Sequence, residues 1–385
     1  MPDKPLKILL LGDYSNCHRT LATGLRQLGC EVTVASNGTW WMQTDRDVDI
    51  SRRPGKLGGL LFYLKMQQLL RGRLSGFDVV AVHDPQFCQL KPSRLRKLFR
   101  LLRERNRSVF LTAMSTDIAF LDMLEAADSP LRYSEWFVDG LPARMNAADP
   151  QQWADWHTPE LVDYQNYVFD NLDGAVSVLY EYHLGMVRRL GAEKAAYGGL
   201  PIATSEYEPV RLPEHPGKVR FFLGRDRGRK LMKGSDYLEQ AAKAVVAKYP
   251  DRAELQIVEN IPFAQFKERL RNAHVVLDQI YSYTPATTAL MAMAYGLNVV
   301  SGGEAEYYDF IGEQTNRPII NAPLSVEELT STLETIVLHP EEIAQRGRQS
   351  RRFVVKHNDA ATVAARFLAF WQKRLKQKEN ETPRP

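Results

Sequence analysis

The stretch HVVLDQIYSYTPATTALMAMAYGLNVVSGGE, residues 274–304, has the pattern of a strand, a turn, a helix and a second strand. Residues 275–277 form a buried-strand run, Thr284 can cap the helix, Pro285 suits its first position and Gly296 can end it. The first amides of that helix face the strand's carboxyl end, so the turn predicts an anion site, for example for a diphosphate. A turn that binds nothing fits the same pattern.

The same alternation begins at the N-terminus. It predicts a strand at 7–11, a glycine-started loop at 12–19, a helix at 20–29 and a strand at 31–35. Further strands are expected at 78–82, 109–112 and 174–178, with helices between them. A βαβ opening followed by alternating elements is typical of a doubly wound parallel sheet.

A proline-rich stretch separates this half from a second one. Residues 201–218 carry four prolines and scattered charges without an apolar period, which indicates a linker. The pattern then restarts, with elements expected at 220–223 (strand), 235–248 (helix), 254–258 (strand), 263–272 (helix), 326–338 (helix) and 360–376 (long amphipathic helix).

The sequence therefore predicts an α/β chain of two Rossmann-like doubly wound domains facing a cleft. We expect an N-terminal domain at 1–201, a linker at 202–218, a C-terminal domain at 219–358, a helix crossing back toward the first domain at 359–377 and a polar tail at 378–385. The carboxyl ends of the strands would line the cleft, which makes it the expected ligand site.

Composition excludes several classes of protein. The three cysteines (Cys17, Cys30 and Cys88) form no CxxC pair, so neither a disulfide framework nor a zinc site is indicated. The N-terminal apolar run, residues 8–11, is too short for a signal segment or a membrane span, and we expect a cytoplasmic protein. Asp47-Val48-Asp49 spells a D-x-D metal motif but lies in an Arg-rich segment, so we expect no metal.

Charge is segregated along the first half. Residues 46–107 carry fifteen Lys/Arg against five Asp/Glu, whereas residues 108–187 carry two against thirteen. Segments 57–74 and 93–105 combine basic and apolar residues, a pattern that suits an anionic membrane surface. Ordinary helices that cover a sheet fit it as well. No feature indicates nucleic-acid binding.

Two cations flank the first turn of the second half. Gly224-Arg225 follows the strand, and Lys233-Gly234 precedes the helix, with a basic loop at 226–232 between them. An arginine fork and a lysine point charge at such a turn suit a nucleotide diphosphate. A solvated basic loop is the alternative.

Several motifs together resemble the GT-B glycosyltransferases, specifically the family-4-like group (glycosyltransferase group 1) of retaining enzymes. They are Gly12-Asp13, LGCEV at 28–32, the GR…KG pair around the second turn, AMAYG at 292–296 and LNVVSG at 297–302. The resemblance implies that Arg225 and Lys233 hold a donor diphosphate, assisted by backbone amides around Thr284 and Ala286. The nucleotide-diphosphate sugar would be a co-substrate, and no resident cofactor is implied.

The chain departs from that family at two positions. A glutamate that contacts the sugar and another that holds the ribose fall on Tyr283 and Met291, which marks a divergent branch. Methionine cannot accept useful hydrogen bonds from ribose hydroxyls. Glu304 or Glu306 is a candidate substitute, with a surface carboxylate as the alternative. Residues 281–283 are candidates to contact the sugar or base.

Loop 12–18 resembles the acceptor-side loop of the family. Asp13, Ser15, Asn16 and His18 offer groups that bind hydroxyls, and His18 is also a candidate catalytic residue and phosphate contact, although a plain helix-capping loop fits equally. Asp117 takes the place of a polar cleft residue, so we expect it to act as a base or cation stabiliser. A retaining enzyme needs no ordinary general base, because the leaving diphosphate can assist the incoming hydroxyl.

These features predict a hexosyltransferase-type enzyme that moves a sugar from a nucleotide-diphosphate donor to a hydroxyl of a glycan or lipid-linked glycan, in polysaccharide biosynthesis. Its expected location is cytoplasmic, with a peripheral position at the inner membrane face as a candidate. Two alternatives stay open: a sugar-nucleotide epimerase of the same build, and a non-catalytic degenerate transferase subunit.

Overall fold

A computed structural model describes residues 4–39 and 42–381 of the chain. The chain divides into two compact units. The first comprises the described residues up to Ala126, residues Gln151–Pro201 and the described residues from Ala360 onward. The second comprises Ala127–Pro150 and Ile202–Asp359.

The first unit is built on one parallel sheet. Its strands are β1 (Lys7–Leu11), β2 (Glu31–Ser36), β3 (Val48–Asp49), β4 (Val79–Val82), β5 (Val109–Ala113), β8 (Gly174–Ser177) and β9 (Ala195–Tyr197). Its helices are α1 (Cys17–Gln27), α2 (Gly55–Arg71), α3 (Pro92–Arg105), α4 (Ile118–Glu125), α6 (Pro150–Trp156, with Pro150 at the boundary), α7 (Pro159–Asp170), α8 (Tyr180–Leu190) and α16 (Ala360–Glu381).

The strand order of this sheet is β3-β2-β1-β4-β5-β8-β9, and every pairing is parallel. The order reverses direction between β1 and β4, which is the switch point of a doubly wound sheet. Loops that follow these two strands therefore begin at the same carboxyl edge. Strands β1 and β4 are almost wholly buried, as expected for a parallel sheet covered on both faces.

The second unit repeats this plan. Its strands are β10 (Val219–Arg225), β11 (Ala253–Glu259), β12 (Val275–Leu277), β13 (Asn298–Ser301) and β14 (Ile320–Asn321). Its helices are α5 (Arg144–Ala148), α9 (Lys230–Lys233), α10 (Ser235–Lys248), α11 (Phe263–Arg271), α12 (Thr287–Ala294), α13 (Ala305–Phe310), α14 (Val326–Leu338) and α15 (Glu342–Asn358), with short 3₁₀ turns at Thr204–Glu206 and Arg227–Arg229.

The sheet order is β11-β10-β12-β13-β14, again fully parallel, with the switch point between β10 and β12. The segment Ala127–Pro150, which includes the hairpin β6 (Phe137–Val138) and β7 (Leu141–Pro142), belongs to this unit and is called the anchor segment below. Both halves are thus Rossmann-like doubly wound domains, and the predicted α/β class with two such domains is confirmed.

The boundaries differ from expectation in specific ways. The predicted N-terminal domain at 1–201 loses the anchor segment, because side chains within that segment pair with the second unit. The predicted linker at 202–218 belongs to the second unit, where the Val210 N–H donates to the Tyr295 carbonyl and Leu212 is buried. Helix α16 continues to Glu381, so residues 378–381 of the predicted tail are helical, and residues 382–385 lie outside the described part.

Helix α16 belongs to the first unit, where it packs against α1. The contact is close: a Cβ on Gly24 would stand 2.1 Å from the Ala360 carbonyl oxygen.

Helix α15 was not predicted, because its sequence, EIAQRGRQSRRFVVKHN, has charged residues throughout and a glycine in its first half. Gly347 inside α15 lies against the backbone of Gly296. This tertiary contact requires a residue without a side chain at position 347.

Candidate functional site

The switch point of the second sheet holds a buried carboxylate. Asp278 directly follows β12 and is 3% exposed. Its Oδ1 accepts from Lys233 Nζ (3.1 Å), and its Oδ2 accepts from Ser301 Oγ (3.2 Å). The ammonium group of Lys233 has three N–H donors and its side chain is 24% exposed, so donors are left for a ligand. Lys233 is thereby fixed beside the first turn of the 278–286 loop.

Arg225 is the last residue of β10, at the same sheet edge, but its side chain pairs with carboxylates other than Asp278. Its Nε donates to Glu259 Oε2 (2.7 Å) and its Nη1 donates to Glu239 Oε2 (2.9 Å). The hydrogen bonds to Glu259 and Glu239 raise the pKa of Arg225 above its usual range. Since Glu259 lies on β11 whereas Asp278 follows β12, the structure does not bring Arg225 and Lys233 to one carboxylate. Their joint contact with a diphosphate stays a prediction.

The predicted turn at Thr284 is shifted. Helix α12 begins at Thr287, with Ala286 as its N-cap residue and no side-chain capping bond, instead of at Pro285. The Thr284 N–H lies 3.3 Å from Ser282 Oγ, which also donates to the Thr284 carbonyl (2.8 Å). This local turn therefore uses the backbone N–H and carbonyl of Thr284 in hydrogen bonds to Ser282, and the helix begins only after the turn. Of residues 281–288, only 286–288 are partly exposed.

The C-terminal end of this helix agrees with expectation. The helix ends at Ala294, and Gly296 adopts φ +79°. The Gly296 N–H donates to the Met293 carbonyl (2.9 Å), and the Leu297 N–H donates to the Ala292 carbonyl (3.0 Å). This pair of bonds is the Schellman motif that glycine favours.

Both positions that are predicted to replace the glutamates of the resembling family are interior. Met291 is 3% exposed and Tyr283 is 0% exposed. The Tyr283 ring lies 4.8 Å from the Tyr133 ring, and its Oη accepts the Arg132 N–H (2.7 Å). Both side chains therefore pack within the protein, and a sugar contact by Tyr283 would have to come from its backbone or follow a rearrangement.

Glu304 is held by three donors. Its Oε1 accepts from Tyr133 Oη (2.6 Å) and Asn321 Nδ2 (2.8 Å), and its Oε2 accepts from Arg132 Nη2 (2.9 Å). Burial alone would raise the pKa of Glu304, but the bonds from Tyr133 and Asn321 and the charge of Arg132 hold it below its usual range. Glu304 is an ionised carboxylate whose acceptor sites are mostly used. Glu306 is more exposed and lies 3.4 Å from Arg132 Nη2.

The anchor segment has a second attachment point. The Arg144 guanidinium forms two bonds to the Asp236 carboxylate (3.1 and 2.5 Å) and lies 3.8 Å from the centre of the Tyr237 ring. Asp236 stands in the first turn of α10, two residues after Gly234. Sequence reasoning missed this contact and that of Arg132. A signal existed, because Arg132 and Arg144 are the two cations within the acidic stretch 108–187.

The loops after β12 and β13 approach each other at Gly302. A Cβ there would lie 2.1 Å from the Ser282 carbonyl oxygen and 2.9 Å from the Thr284 nitrogen. The Glu304 N–H donates to the Tyr283 carbonyl (3.2 Å), which joins the same two loops. The structure thus brings Tyr283, Thr284 and Glu304 together at one edge of the sheet.

In the first unit, loop 12–18 is a capping structure. Asp13 is 7% exposed and accepts from the backbone N–H groups of His18 (2.8 Å) and Arg19 (3.3 Å). Burial raises the pKa of Asp13 to about 7, although those two amides oppose the shift. Ser15 and Asn16 both have positive φ and are partly exposed. Their assignment to an acceptor stays a prediction.

His18 is fully buried and bonded at both ring nitrogens. Nδ1 lies 2.7 Å from the Gly12 carbonyl oxygen, and Nε2 lies 2.9 Å from Thr112 Oγ1. Nδ1 must therefore carry the proton, because a carbonyl only accepts. Burial and the nearby His83 lower the pKa of His18 to about 3. His18 is a neutral link between the loop after β1 and β5, and a phosphate contact would require it to move.

Carboxylates collect at the switch point of the first sheet. Asp84 follows β4 and accepts from Ser115 Oγ and the Gln86 N–H. Asp117 caps α4 by accepting from the Phe120 N–H (2.9 Å). Burial, with a contribution from Asp84, raises the pKa of Asp117 to about 7. A carboxyl whose pKa lies near neutral suits proton transfer. The structure shows the capping role, and the catalytic role of the buried Asp117 stays a prediction.

His83 packs against the loop after β1. Its Nδ1 would stand 1.9 Å from a Cβ on Gly12, so only glycine fits there, and Gly12 also has φ +79°. The His83 N–H donates to the Leu11 carbonyl (3.1 Å). Burial lowers the pKa of His83, with the Asp84 charge opposing the shift. The glycine of the loop is thus explained by packing.

Within residues 4–39 and 42–381, no group of three or more His, Cys, Asp or Glu side chains could hold a metal ion. Asp47 pairs with Arg26 (2.9 Å) and Asp49 pairs with Arg46 (2.8 Å). Over the same residues, no helix has the length and apolar character needed to cross a membrane.

No protein-family model matches this chain, and no curated protein sequence is detectably similar to it. Solved structures share its fold. Sucrose-phosphate synthase from Thermosynechococcus elongatus gives a TM-score of 0.59 at 14% identity and covers 97% of this chain and 100% of its own. Anabaena HepE, solved with UDP and glucose, gives 0.57 at 13% identity (96% and 100%). A putative UDP-N-acetylglucosamine 2-epimerase from Listeria monocytogenes gives 0.55 at 13% identity (99% and 98%).

The chain therefore has the GT-B fold, with two Rossmann-like units and a parallel sheet in each. At these identities the similarity shows the fold alone.

Proposed function

We propose that the protein is a glycosyltransferase that moves a sugar from a nucleotide-diphosphate donor to a hydroxyl of a glycan or lipid-linked glycan. The observation that carries the proposal is Lys233, fixed by the buried Asp278 at the switch point of the second sheet. Open α/β sheets bind ligands outside the carboxyl ends of their strands at this point. The structures of sucrose-phosphate synthase and HepE, similar in fold, support this class of reaction.

In this proposal Lys233 keeps its bond to Asp278 and offers its remaining N–H donors to the diphosphate. The partly exposed start of α12, residues 286–288, adds backbone donors and the positive end of the helix dipole. Arg225 contributes after release from Glu239 or Glu259, or acts from a distance. Stabilising the charge of the departing diphosphate is then the main contribution of these groups.

For the acceptor we propose the loop 12–18 and Asp117, whose pKa near 7 suits a proton acceptor at neutral pH. We propose retention of configuration, as the resemblance implies. We also propose a cytoplasmic location, because Cys17, Cys30 and Cys88 are all free thiols, which fits a reducing compartment.

The test is a thermal-shift titration of nucleoside diphosphates on the parent protein and on Lys233→Ala. A ligand at 100 times its dissociation constant adds ~2.7 kcal/mol to the free energy of unfolding. Losing one charge-assisted contact costs ~1.5–3 kcal/mol, so Lys233→Ala should weaken binding ~10- to 100-fold. Lys230→Ala, on the exposed side of the same short helix α9, is the matched control and should bind like the parent.

Lys233→Ala removes the ion-pair partner of the buried Asp278 carboxylate, which keeps only the Ser301 bond, so the variant will be less stable without ligand. Each shift is therefore measured against the same variant without nucleotide, and Lys233→Met/Asp278→Asn removes both charges together. Equal nucleotide affinity in all variants would place the donor elsewhere. Arg225→Ala is compared with Arg227→Ala, which pairs with the same Glu259 but is 78% exposed.

A sugar-nucleotide epimerase is the second candidate, favoured by the similarity in fold to the putative Listeria epimerase. The two functions differ in whether an acceptor is consumed. Product formed from a nucleotide sugar in the absence of any glycan would favour the epimerase. Donor binding without turnover on any acceptor would instead favour the non-catalytic subunit, for which the buried Met291 and Tyr283 provide a structural reason.

A further inference from the structure

Helix α2 of the first unit carries an outward-facing row of leucines. Leu57 is 69% exposed, Leu60 42%, Leu61 54% and Leu64 53%. Their spacing of three and four residues places them on one stripe, about 100° wide at about 100° per residue. The stripe is therefore one continuous apolar surface.

The core of the unit does not need this stripe. The buried residues of α2 are Gly59, Phe62, Met66 and Leu70, on the opposite side of the helix. Phe62, Met66 and Leu70 belong to the main hydrophobic cluster around the sheet. A helix that covers a sheet normally presents polar residues to water, so the outer leucines call for another explanation.

The concentration of apolar exposure on α2 is unusual for this chain. Across residues 4–39 and 42–381, ten large apolar side chains are exposed, and four of them lie on α2. No other helix or strand in that described part carries more than one. Singly scattered exposed residues are normal, whereas a contiguous patch marks an interaction surface.

The surroundings of the stripe are basic. From Ile50 to Phe77 the chain has six Lys/Arg and no Asp/Glu. Lys56 and Lys65 fall on opposite flanks of the stripe, each about 40° from its edge by the same helical geometry. Both are exposed, and Lys65 has one acidic contact, Asp49 Oδ2 at 3.9 Å. An apolar stripe between cations is the pattern of a helix that lies in a lipid interface.

Helix α3 has a similar basic and apolar sequence but does not expose its leucines. Its sequence is more basic than that of α2 and also rich in leucine, but Leu95, Leu98, Phe99, Leu101 and Leu102 are all buried. Arg96 pairs with Asp163 (2.5 Å) and Arg103 with Asp173 (3.4 Å). Helix α3 is thus an ordinary sheet-covering helix. Of the two segments with a membrane-like sequence, the structure exposes the leucines of α2 alone.

We propose that α2 docks the protein on an anionic membrane surface, with Leu57, Leu60, Leu61 and Leu64 in the boundary between headgroups and acyl chains. Lys56 and Lys65 would then meet lipid phosphates. A second copy of the chain fits less well, because two such surfaces would bring their cations face to face. The proposal concerns binding to lipid and does not depend on sugar transfer.

The experiment is cosedimentation of the protein with vesicles of phosphatidylcholine alone or with 30% phosphatidylglycerol, without nucleotide. We expect binding to the anionic vesicles, weaker binding to the neutral ones and loss of binding at high salt. Leu57→Ser/Leu61→Ser/Leu64→Ser should reduce binding at least ~10-fold. Because all three side chains are already exposed, the melting temperature should stay near that of the parent.

The matched control is Leu28→Ser/Leu141→Ser/Leu338→Ser, which removes three exposed leucines from elements other than α2 and should bind vesicles like the parent. For charge, Lys56→Gln/Lys65→Gln should lose anionic binding, and Lys97→Gln/Arg100→Gln on the outer side of α3 should retain most of it. Absence of parent binding, or equal binding by the α2 leucine variant, would overturn the proposal. A concentration-dependent dimer abolished by that variant would assign the stripe to self-association instead.

Discussion

The backbone N–H of Arg132 donates a 2.7 Å hydrogen bond to the phenol oxygen of Tyr283, joining residues 151 positions apart in sequence. Tyr283 is the residue that the sequence resemblance predicts at the place of the family's first glutamate. The side chain of Arg132 binds Glu304, one of the two candidate substitutes for that glutamate. Both positions thus attach the anchor segment, residues 127–150, to the loops of the second sheet.

Tyr283→Phe should loosen this attachment. The change removes the acceptor of the Arg132 N–H and should cost ~1–3 kcal/mol in the free energy of unfolding, measured by urea denaturation. Hydrogen exchange within 127–150 should become faster. Tyr308→Phe is the control, because its buried Oη accepts the Ile319 N–H (3.1 Å) in the same unit. A similar stability loss without faster exchange in 127–150 is expected there, and identical exchange profiles for both variants would contradict the prediction.

Glu304→Gln should destabilise the protein by ~1–2 kcal/mol near pH 7, since a charged acceptor loses its ionic bond. The pKa of Glu304 is lowered in the folded state, so its stabilisation is present above the unfolded value of about 4.5 and is lost as the pH falls through the folded value. The difference between variant and parent should therefore shrink in acid. Glu306→Gln, more exposed, should change stability by less than ~0.5 kcal/mol. Equal effects of the two substitutions at pH 7 would argue against the role of Glu304.

Two substitutions at Asp117 distinguish a helix-capping role from a catalytic role. Asparagine caps helices as well as aspartate, so Asp117→Asn should keep the stabilisation that the cap provides, whereas Asp117→Ala should lose ~1 kcal/mol. If Asp117 transfers a proton, Asp117→Asn should lower kcat by ~100-fold or more. Parent-like turnover in Asp117→Asn would leave it a capping residue.

The stability difference between Asp117→Asn and the parent should depend on pH, and the raised pKa of Asp117 fixes the direction. The folded pKa of Asp117 is about 7 against 3.8 unfolded, so the folded state binds the proton more tightly. The free energy of unfolding must then fall as the pH rises between ~4 and ~7. Asp117→Asn lacks this loss and should gain stability relative to the parent between pH 5 and pH 8. Urea denaturation at both values measures it, and a constant difference would show that the pKa is not raised.

Gly302→Ala tests the approach of the two loops. Its Cβ would stand 2.1 Å from a backbone carbonyl oxygen, so we expect a loss of ~1–3 kcal/mol and weaker nucleotide binding. Gly217→Ala is the control, because a Cβ there meets nothing within 4 Å. It should be neutral or slightly stabilising. Comparable melting temperatures for the two variants would show that the loops can separate.

Local sequence signals were sufficient for several of the regular elements. Residues Val275–Leu277, Ser235–Lys248 and Val326–Leu338 have the predicted bounds, because apolar period and capping residues act over a few positions. The start of α12 was predicted too early, since the Ser282 hydroxyl competes with the helix for the backbone of Thr284. Helix α15 was missed because charged residues and Gly347 interrupt its apolar pattern, and the contact that requires this glycine, with Gly296, is distant in sequence.

The candidate site likewise has parts that the sequence predicted and parts that it did not. The order of the strands and the position of the turns, which place Lys233 and the 278–286 loop at one sheet edge, could be predicted from the sequence. That Asp278 holds Lys233, that Glu239 and Glu259 hold Arg225, and that His18 is buried depended on contacts between distant residues.

By itself the sequence determined the two α/β halves, because hydrophobic period and turn chemistry are local properties of the chain. Tertiary structure alone decided which polar groups are paired and which leucines face water, as the contrast between α2 and α3 shows. Burial depends on what packs against a residue from elsewhere in the chain, and one helix's own pattern does not contain that information.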